Sequence, residues 1–374
     1  MKDILPIAFY LPQFHAIPEN DSSYGTGFTE WTNVKKATPL FEGHYQPRVP
    51  LNKEYYCLLD PGIMKKQAEL AKEYGVYGFC YYHYWFSGGK KLLEKPVEKM
   101  LDDKSINIPF CLCWANENWT RRWDGGNDEI IVEQDYGNLD DIKNHAIYFS
   151  RYFSDERYMK IDGRPILLVY KPDLIPNCKS YIEMLRSEIR KTGFDALIVF
   201  QFPNAIVFGN YLKLCDYYIE FEPTYVQKIE IKESRNVLQN LAHDTWESDY
   251  MAIIRHNVKR KKKIQTLQMF DYDTAWEKIL NHKVLSEKAI AGAFVDWDNT
   301  PRKSNGIVYK GATPKKFGNY FSRLIEKVDT EYKTPYIFVN AWNEWGEGAY
   351  LEPDEKYGHQ YLEELKRALD KNKR

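Results

Sequence analysis

Charge of one sign is lacking in this chain of 374 residues, where 52 basic side chains stand against 53 acidic ones. Nucleic acid and anionic membrane surfaces are therefore not expected as its main partners. No apolar run approaches the roughly 20 residues of a membrane span, so no membrane insertion is expected either. The six cysteines, at positions 57, 80, 111, 113, 178 and 215, lack the paired spacing of a zinc ribbon or a disulfide scaffold. Several sit in apolar runs such as Pro109-Phe110-Cys111-Leu112-Cys113-Trp114, where a thiol behaves as a small buried hydrophobe. A Gly-rich phosphate loop, a His-Glu-x-x-His element and a nucleophile elbow are also missing. These absences move ATP, zinc and serine-esterase chemistry out of the first rank, and neither a cofactor nor a metal is expected. The amino terminus carries no basic segment ahead of a long apolar core. The run Ile4 to Tyr10 is too short, and too soon broken by Pro6, to be a signal peptide, so cytoplasmic residence is expected. Nothing in the sequence specifies an oligomeric state.

Aromatic residues, by contrast, are abundant: 16 % of the chain, with 29 Tyr and 10 Trp. Such rings fill cores, and they also stack on the apolar faces of sugars while a hydroxyl or N–H reaches a polar group. Eight apolar runs recur along the chain, at Leu5–Tyr10, Val76–Tyr82, Phe110–Trp114, Ile166–Tyr170, Ala196–Gln201, Tyr217–Phe221, Ala291–Trp297 and Tyr336–Ala341. Amphipathic stretches separate or follow them, at Pro61–Tyr74, Lys91–Asp103, Asn138–Phe153, Ser180–Thr192, Lys315–Thr330 and His359–Lys371. Strands apolar on both faces that alternate with helices imply a parallel sheet covered by helices, and eight such units favour a single (β/α)8 TIM-type barrel over residues 1–374. Two irregularities stand out. A long loop, 12–60, follows strand 1, and a helical insertion is expected around residues 230–273, with the basic run Lys259-Arg260-Lys261-Lys262-Lys263 read as a solvated helix face.

One stretch organises the functional reading. After the last apolar run comes Asn340-Ala341-Trp342-Asn343-Glu344-Trp345-Gly346-Glu347-Gly348, two carboxylates three residues apart among indoles and glycines. Burial beside an indole raises a carboxyl pKa, and one raised with one ordinary acid is what glycosidic cleavage uses. A solvated acidic loop is the bland alternative. In a barrel, functional groups sit beyond the carboxyl ends of the strands. Those positions offer Gln13 and His15; His83, Tyr84 and Trp85; Trp114, Asn116, Glu117 and Trp119; Lys171; Glu222; Asp296 and Asp298; and finally Trp342, Asn343, Glu344, Trp345 and Glu347. The loop after strand 1 adds Glu30 and Trp31. Hydrogen-bonding groups interleaved with aromatics suit a polyhydroxylated, carbohydrate substrate. Each has a structural alternative: His83 fits a hydrogen-bonded pocket histidine equally well, Glu117 fits an ion pair with Arg121 or Arg122, and Lys171 fits a strand cap. Asp296-Trp297-Asp298 also matches the Asp-x-Asp element of metal-dependent sugar-nucleotide transferases, although that element belongs to an open sheet.

The motifs Phe9 to His15, Gly27 to Asn33, Trp114 to Trp123, Asp296 to Arg302 and Trp342 to Asp354 resemble those of the WbsX-type, glycoside hydrolase family 99-like proteins of bacterial surface-polysaccharide gene clusters. The resemblance implies a (β/α)8 fold and a retaining, endo-type attack in which the substrate's 2-hydroxyl is the internal nucleophile, through a 1,2-anhydro intermediate. It also implies that Glu344 takes the proton from that hydroxyl, while Glu347 protonates the leaving oxygen and later activates water. Gene context of this kind suggests a glycosyltransferase of surface-polysaccharide assembly as the alternative, and a barrel that only binds glycans as a third reading.

Overall fold

A computed structural model describes residues 2–121, 129–203, 211–227 and 267–373. Eight strands close a parallel barrel. They are β1 (Leu5–Tyr10), β2 (Gly78–Trp85), β3 (Phe110–Trp114), β4 (Arg164–Val169), β5 (Leu197–Phe202), β6 (Tyr217–Glu220), β7 (Ala289–Phe294) and β8 (Tyr336–Asn340). Each pairs with its neighbours in chain order, and β1 pairs with both β2 and β8 to close the ring. The fold is the (β/α)8 barrel that the alternation of apolar runs and amphipathic stretches predicts.

The barrel is filled, not hollow. Phe9 of β1 meets Tyr82 of β2, Phe221 just beyond β6 and Phe338 of β8, with ring centroids 5.5, 5.4 and 5.5 Å away. Fully burying one such ring contributes about 2 kcal/mol, so interlocking rings fix the barrel radius as well as stabilise it. Outside, Ile63–Glu73, Lys95–Asp102, Leu139–Phe153, Cys178–Lys191, Tyr272–Asn281, Pro314–Glu331 and Gln360–Lys371 form the described helical layer. Several helices start where the sequence supplies a cap. Asn138 accepts from the backbone of Asp140 and Asp141, and Thr313 caps a helix opened by Pro314. All six cysteines are free thiols, and five of them are buried.

Three expectations need correction. Strand β2 runs on to Trp85, because Tyr84 and Trp85 pair antiparallel with Lys91–Leu92; the next helix consequently starts at Lys95 and not at Lys91. Gln268–Asp271 is a strand, paired in parallel with Ile307–Lys310, so the carboxyl end of the expected helical insertion is extended. The following helix, Tyr272–Asn281, is capped by Asp271 and lies between β6 and β7, largely beyond the end of the expected insertion. Most of the insertion, including the basic run 259–263, lies outside the described residues.

Candidate active site

Beyond β8 the chain makes a small antiparallel ladder, Asn343–Glu344 against Ala349–Tyr350, closed by a 3-10 turn at Trp345–Glu347. Gly348 turns the chain back at φ 62°, in the left-handed region that glycine occupies at little cost. Gly346 is required for a different reason: a Cβ there would lie 1.6 Å from Glu30 Oε1. The tight turn brings the two acids to one side, and both meet Arg302.

Arg302 spends each of its three nitrogens on a different carboxylate. Nε donates to Glu30 at 2.8 Å, Nη1 to Glu347 at 2.5 Å and Nη2 to Glu344 at 2.7 Å. A planar guanidinium offers donors at fixed angles, so three bonds to one group fix the acids relative to each other. The protonation of the cluster follows from its burial. Desolvation pushes the Glu344 carboxyl up to about 8 despite Arg302, with Glu347 and Glu30 adding repulsion. Burial likewise raises Glu30 despite the same arginine. The two acids at the turn differ in access: the Glu347 side chain is 23 % exposed, that of Glu344 only 8 %.

A second network holds the turn from β7. The Asp298 amide donates to the Glu347 carbonyl at 2.6 Å, and Arg48 donates to the Gly348 carbonyl at 3.1 Å and to Asp296 at 2.8 Å. His44 Nε2 lies 2.7 Å from Asp298 Oδ2, which also accepts from Gln46, while Thr300 bonds the other oxygen. Burial works to raise the Asp298 carboxyl, yet the His44 bond, Arg48, Thr300 and Gln46 outweigh it and hold it at about 2. Burial raises Asp296 despite Arg48. Asp296 and Asp298 are thus bound to the protein's own cations and donors, and serve to anchor the loop that delivers Arg302. Among the described residues no group of His, Cys, Asp and Glu is arranged to hold a metal ion.

The wall opposite the acids is built of tyrosine. Tyr82 and Tyr84 share one face of β2, and Tyr170, edge-on to Tyr82 at 6.1 Å, follows β4. Burial and the charges of Glu117, Glu347 and Glu344 raise the Tyr170 phenol; burial, Glu344 and Glu117 raise that of Tyr84. Glu117 forms an ion pair with Lys171, whose ammonium lies 4.9 Å from the Tyr170 ring centre. Glu117 therefore pairs with Lys171, whereas Arg121 faces Glu129 at 3.6 Å and Arg122 lies outside the described residues. Glu344, Glu347, Tyr84, Glu117 and Lys171 are brought together as expected from sequence; Arg302, Tyr82 and Tyr170 join them without having been singled out. Arg302 closes the quoted motif Asp296 to Arg302, so the signal was present.

Other expected lining residues lie behind the mouth. Because β2 continues to Trp85, alternation turns His83 and Trp85 toward the helices: His83 Nε2 is 3.0 Å from His145 Nε2, and Trp85 stacks on His145 at 4.5 Å. Trp114 joins the same layer, stacked on Tyr181, with its indole N–H on the Trp85 carbonyl. Burial lowers His83 to about 3 and His15 to about 4, so both are neutral near pH 7. His15 bonds the Pro12 carbonyl, and the Gln13 carbonyl accepts from the Glu30 amide. Glu30 is wholly buried, shares Arg302 with the two acids and adds to the repulsion at Glu344.

Trp31, Trp342 and Trp345 form a brace under the turn. Trp345 stacks on Tyr350 at 3.8 Å, touches Trp31 at 5.3 Å and donates to Glu352, while Trp342 packs on Phe79. Asn343 holds the β8 loop to the β1 loop through both the amide and the carbonyl of Leu11. Asn116 ties the β3 and β4 loops through Lys171, and Trp119 supports Tyr84 edge-on at 5.0 Å. Glu222 is buried with one oxygen on the Val226 amide, and burial raises it well above the usual carboxylate range.

A closed parallel barrel of eight strands defines the class, a (β/α)8 fold like that of glycoside hydrolase family 99. The GH99 endo-alpha-mannosidase of Bacteroides thetaiotaomicron matches over 99 % of this chain and 98 % of its own at 14 % identity and a TM-score of 0.56; the same enzyme in complex with BIS-TRIS-propane gives 0.55. The family model described as Glycosyltransferase WbsX matches residues 6–365, and the chain belongs to that family. The uncharacterized protein WxcX of Xanthomonas campestris pv. campestris is 36 % identical over 97 % of this chain, in strains B100 and ATCC 33913. The chain spans about half the length of these curated relatives, 49 % of each.

Proposed function

We propose that this chain is a retaining glycoside hydrolase acting on a bacterial polysaccharide or oligosaccharide, with Glu344 and Glu347 as its catalytic pair. The carrying observation is the convergence of both acids on Arg302 at a tyrosine-walled mouth. As the substrate's 2-oxygen attacks the anomeric carbon, Glu344 takes its proton. The bond to the leaving oxygen breaks while Glu347 gives that oxygen a proton. Water, deprotonated by Glu347, then opens the anhydro ring, and the 2-oxygen regains its proton from Glu344. Access supports this division: the acid that must exchange protons with water is the more exposed one. A carboxyl pushed up to about 8 is largely protonated at pH 7, so the base is its ionised fraction, which is a stronger base than an ordinary glutamate. Incubation with bacterial surface oligosaccharides, followed by NMR of the anomeric protons, is expected to show new reducing ends of retained configuration first; inverted product overturns the retaining mechanism.

The family description favours a second reading, transfer from a sugar nucleotide or lipid-linked sugar. It predicts donor binding by calorimetry, and saturable binding of a nucleotide sugar displaced by oligosaccharide would favour it over hydrolysis.

A further inference from the structure

We infer that an open groove at the β3 and β4 edge of the barrel mouth is a distal subsite for uncharged sugar residues of a glycan engaged at the acid pair; the inference rests on the glycan-cleaving reading above. The groove has a volume of about 630 Å³ and is built from residues 133–142, between β3 and its helix, and 174–184, beyond β4. Segments that leave the carboxyl ends of barrel strands lie on the face that carries the acids. It therefore opens on the same side as the mouth. Between the two stands the Glu117–Lys171 pair, and Asn116 joins both sides, with its amide nitrogen 3.1 Å from the Tyr136 hydroxyl and 2.7 Å from the Lys171 carbonyl. A chain that leaves the bowl across Tyr170 and this ion pair reaches the groove next.

The lining specifies what enters. Tyr136 and Tyr181 meet edge-on at 5.8 Å, and Leu174 and Met184 stand 46 % and 37 % exposed, giving the apolar patches on which sugar faces stack. Polar groups lie among them: Gln134, Asn177 and Ser180 offer donors and acceptors, and Glu133 and Asp135 offer carboxylates. Among the described residues, no Lys, Arg or His lines the groove. Carboxylates with no cation among the described lining residues accept sugar hydroxyls and repel anions, so uronic acids and phosphate-bearing residues are disfavoured at this position. A substrate reaching from the acids to this groove has several sugar residues on that side of the cut.

The test uses the Glu347→Gln protein, which keeps substrate intact, and titration calorimetry with neutral oligosaccharides of two to six residues from α-mannan, β-glucan and surface-polysaccharide fragments. Affinity is expected to rise about tenfold or more at the length that reaches the groove. Ser180→Trp, on the exposed face of Cys178–Lys191, should fill the groove and remove that increment, whereas Lys179→Trp, on the same helix outside it, should leave it. Uronic-acid oligosaccharides of equal length should gain nothing. The inference is overturned if no neutral series gains affinity with length, or if Ser180→Trp and its parent show the same increment. Should the length-dependent binding hold while the wild-type protein cleaves none of these oligosaccharides, the hydrolase reading fails and the subsite stands.

Discussion

Arg302 Nη2 sits 2.7 Å from Glu344 Oε2 while the same guanidinium holds Glu347 and Glu30. This arginine positions the pair without needing to touch the reacting atoms. Lys at 302 keeps the charge but has no planar fork and cannot aim three donors at three carboxylates. Arg302→Lys is expected to lower kcat about a hundredfold, the scale of an ångström-level misplacement, with KM little changed. Steady-state kinetics beside a thermal unfolding curve check this, and wild-type kcat in the variant would remove Arg302 from the account.

Gly346 provides an independent route to the same cluster. An added Cβ would collide with Glu30 Oε1 at 1.6 Å and must displace Glu30 or the turn itself. Gly346→Ala is expected to cost about 1–3 kcal/mol of stability, as overpacking does, and to lose activity even where it remains folded. Urea unfolding and turnover of the same preparation measure both.

The pH dependence of the reaction carries a sign. A base acts only when ionised, and burial places Glu344 near 8. With Glu344 as the base, kcat/KM rises as pH increases from 6 through about 8. With Glu344 as the acid it falls over that window, so a pH profile assigns the roles.

Stability should peak at mildly acidic pH, between about 4.5 and 6.5. Glu344 and Glu352 are raised from 4.5 to about 8 and about 7, each chiefly by burial, so between those limits the folded chain holds more protons than the unfolded one and stability drains away as pH rises. His15 and His83 are lowered from 6.5 to about 4 and about 3 by burial, so the unfolded chain binds more protons there; this offsets the glutamates between 6.5 and 4.5 and lowers stability as pH drops below about 4.5. Melting temperatures from pH 4 to 9 should trace this dome. Glu352→Gln should flatten its alkaline side, and an unchanged slope would remove Glu352 as a source of it.

The barrel and the acid pair were legible because their signals are local. Apolar runs at strand length alternate with amphipathic helices, and Glu344 and Glu347 lie three apart beside Trp345. The lining was less legible for a physical reason. Strand β2 is aromatic on both faces, Cys80, Tyr82 and Tyr84 on one and Phe79, Tyr81, His83 and Trp85 on the other, so alternation gives no hint of which face looks inward. The structure turns His83 and Trp85 to the helices and Tyr84 to the mouth. Long-range pairing was invisible for another reason: Arg302 reaches Glu30 across 272 positions, and Arg48 reaches Asp296 across 248. An arginine carries no local mark of the carboxylate it will meet. The indoles misled in the opposite direction, since Trp342 and Trp345 brace the turn from behind through Phe79, Tyr350 and Glu352 and do not face the bowl.

The most direct test compares wild type with Glu347→Gln for release of reducing ends from an oligosaccharide substrate, alongside their melting temperatures. Loss of turnover by about 10²–10⁴-fold, the usual worth of positioned acid–base catalysis, with the fold intact, is the expected result. Equal turnover by the two proteins would contradict the proposal that this pair of acids cuts the glycosidic bond.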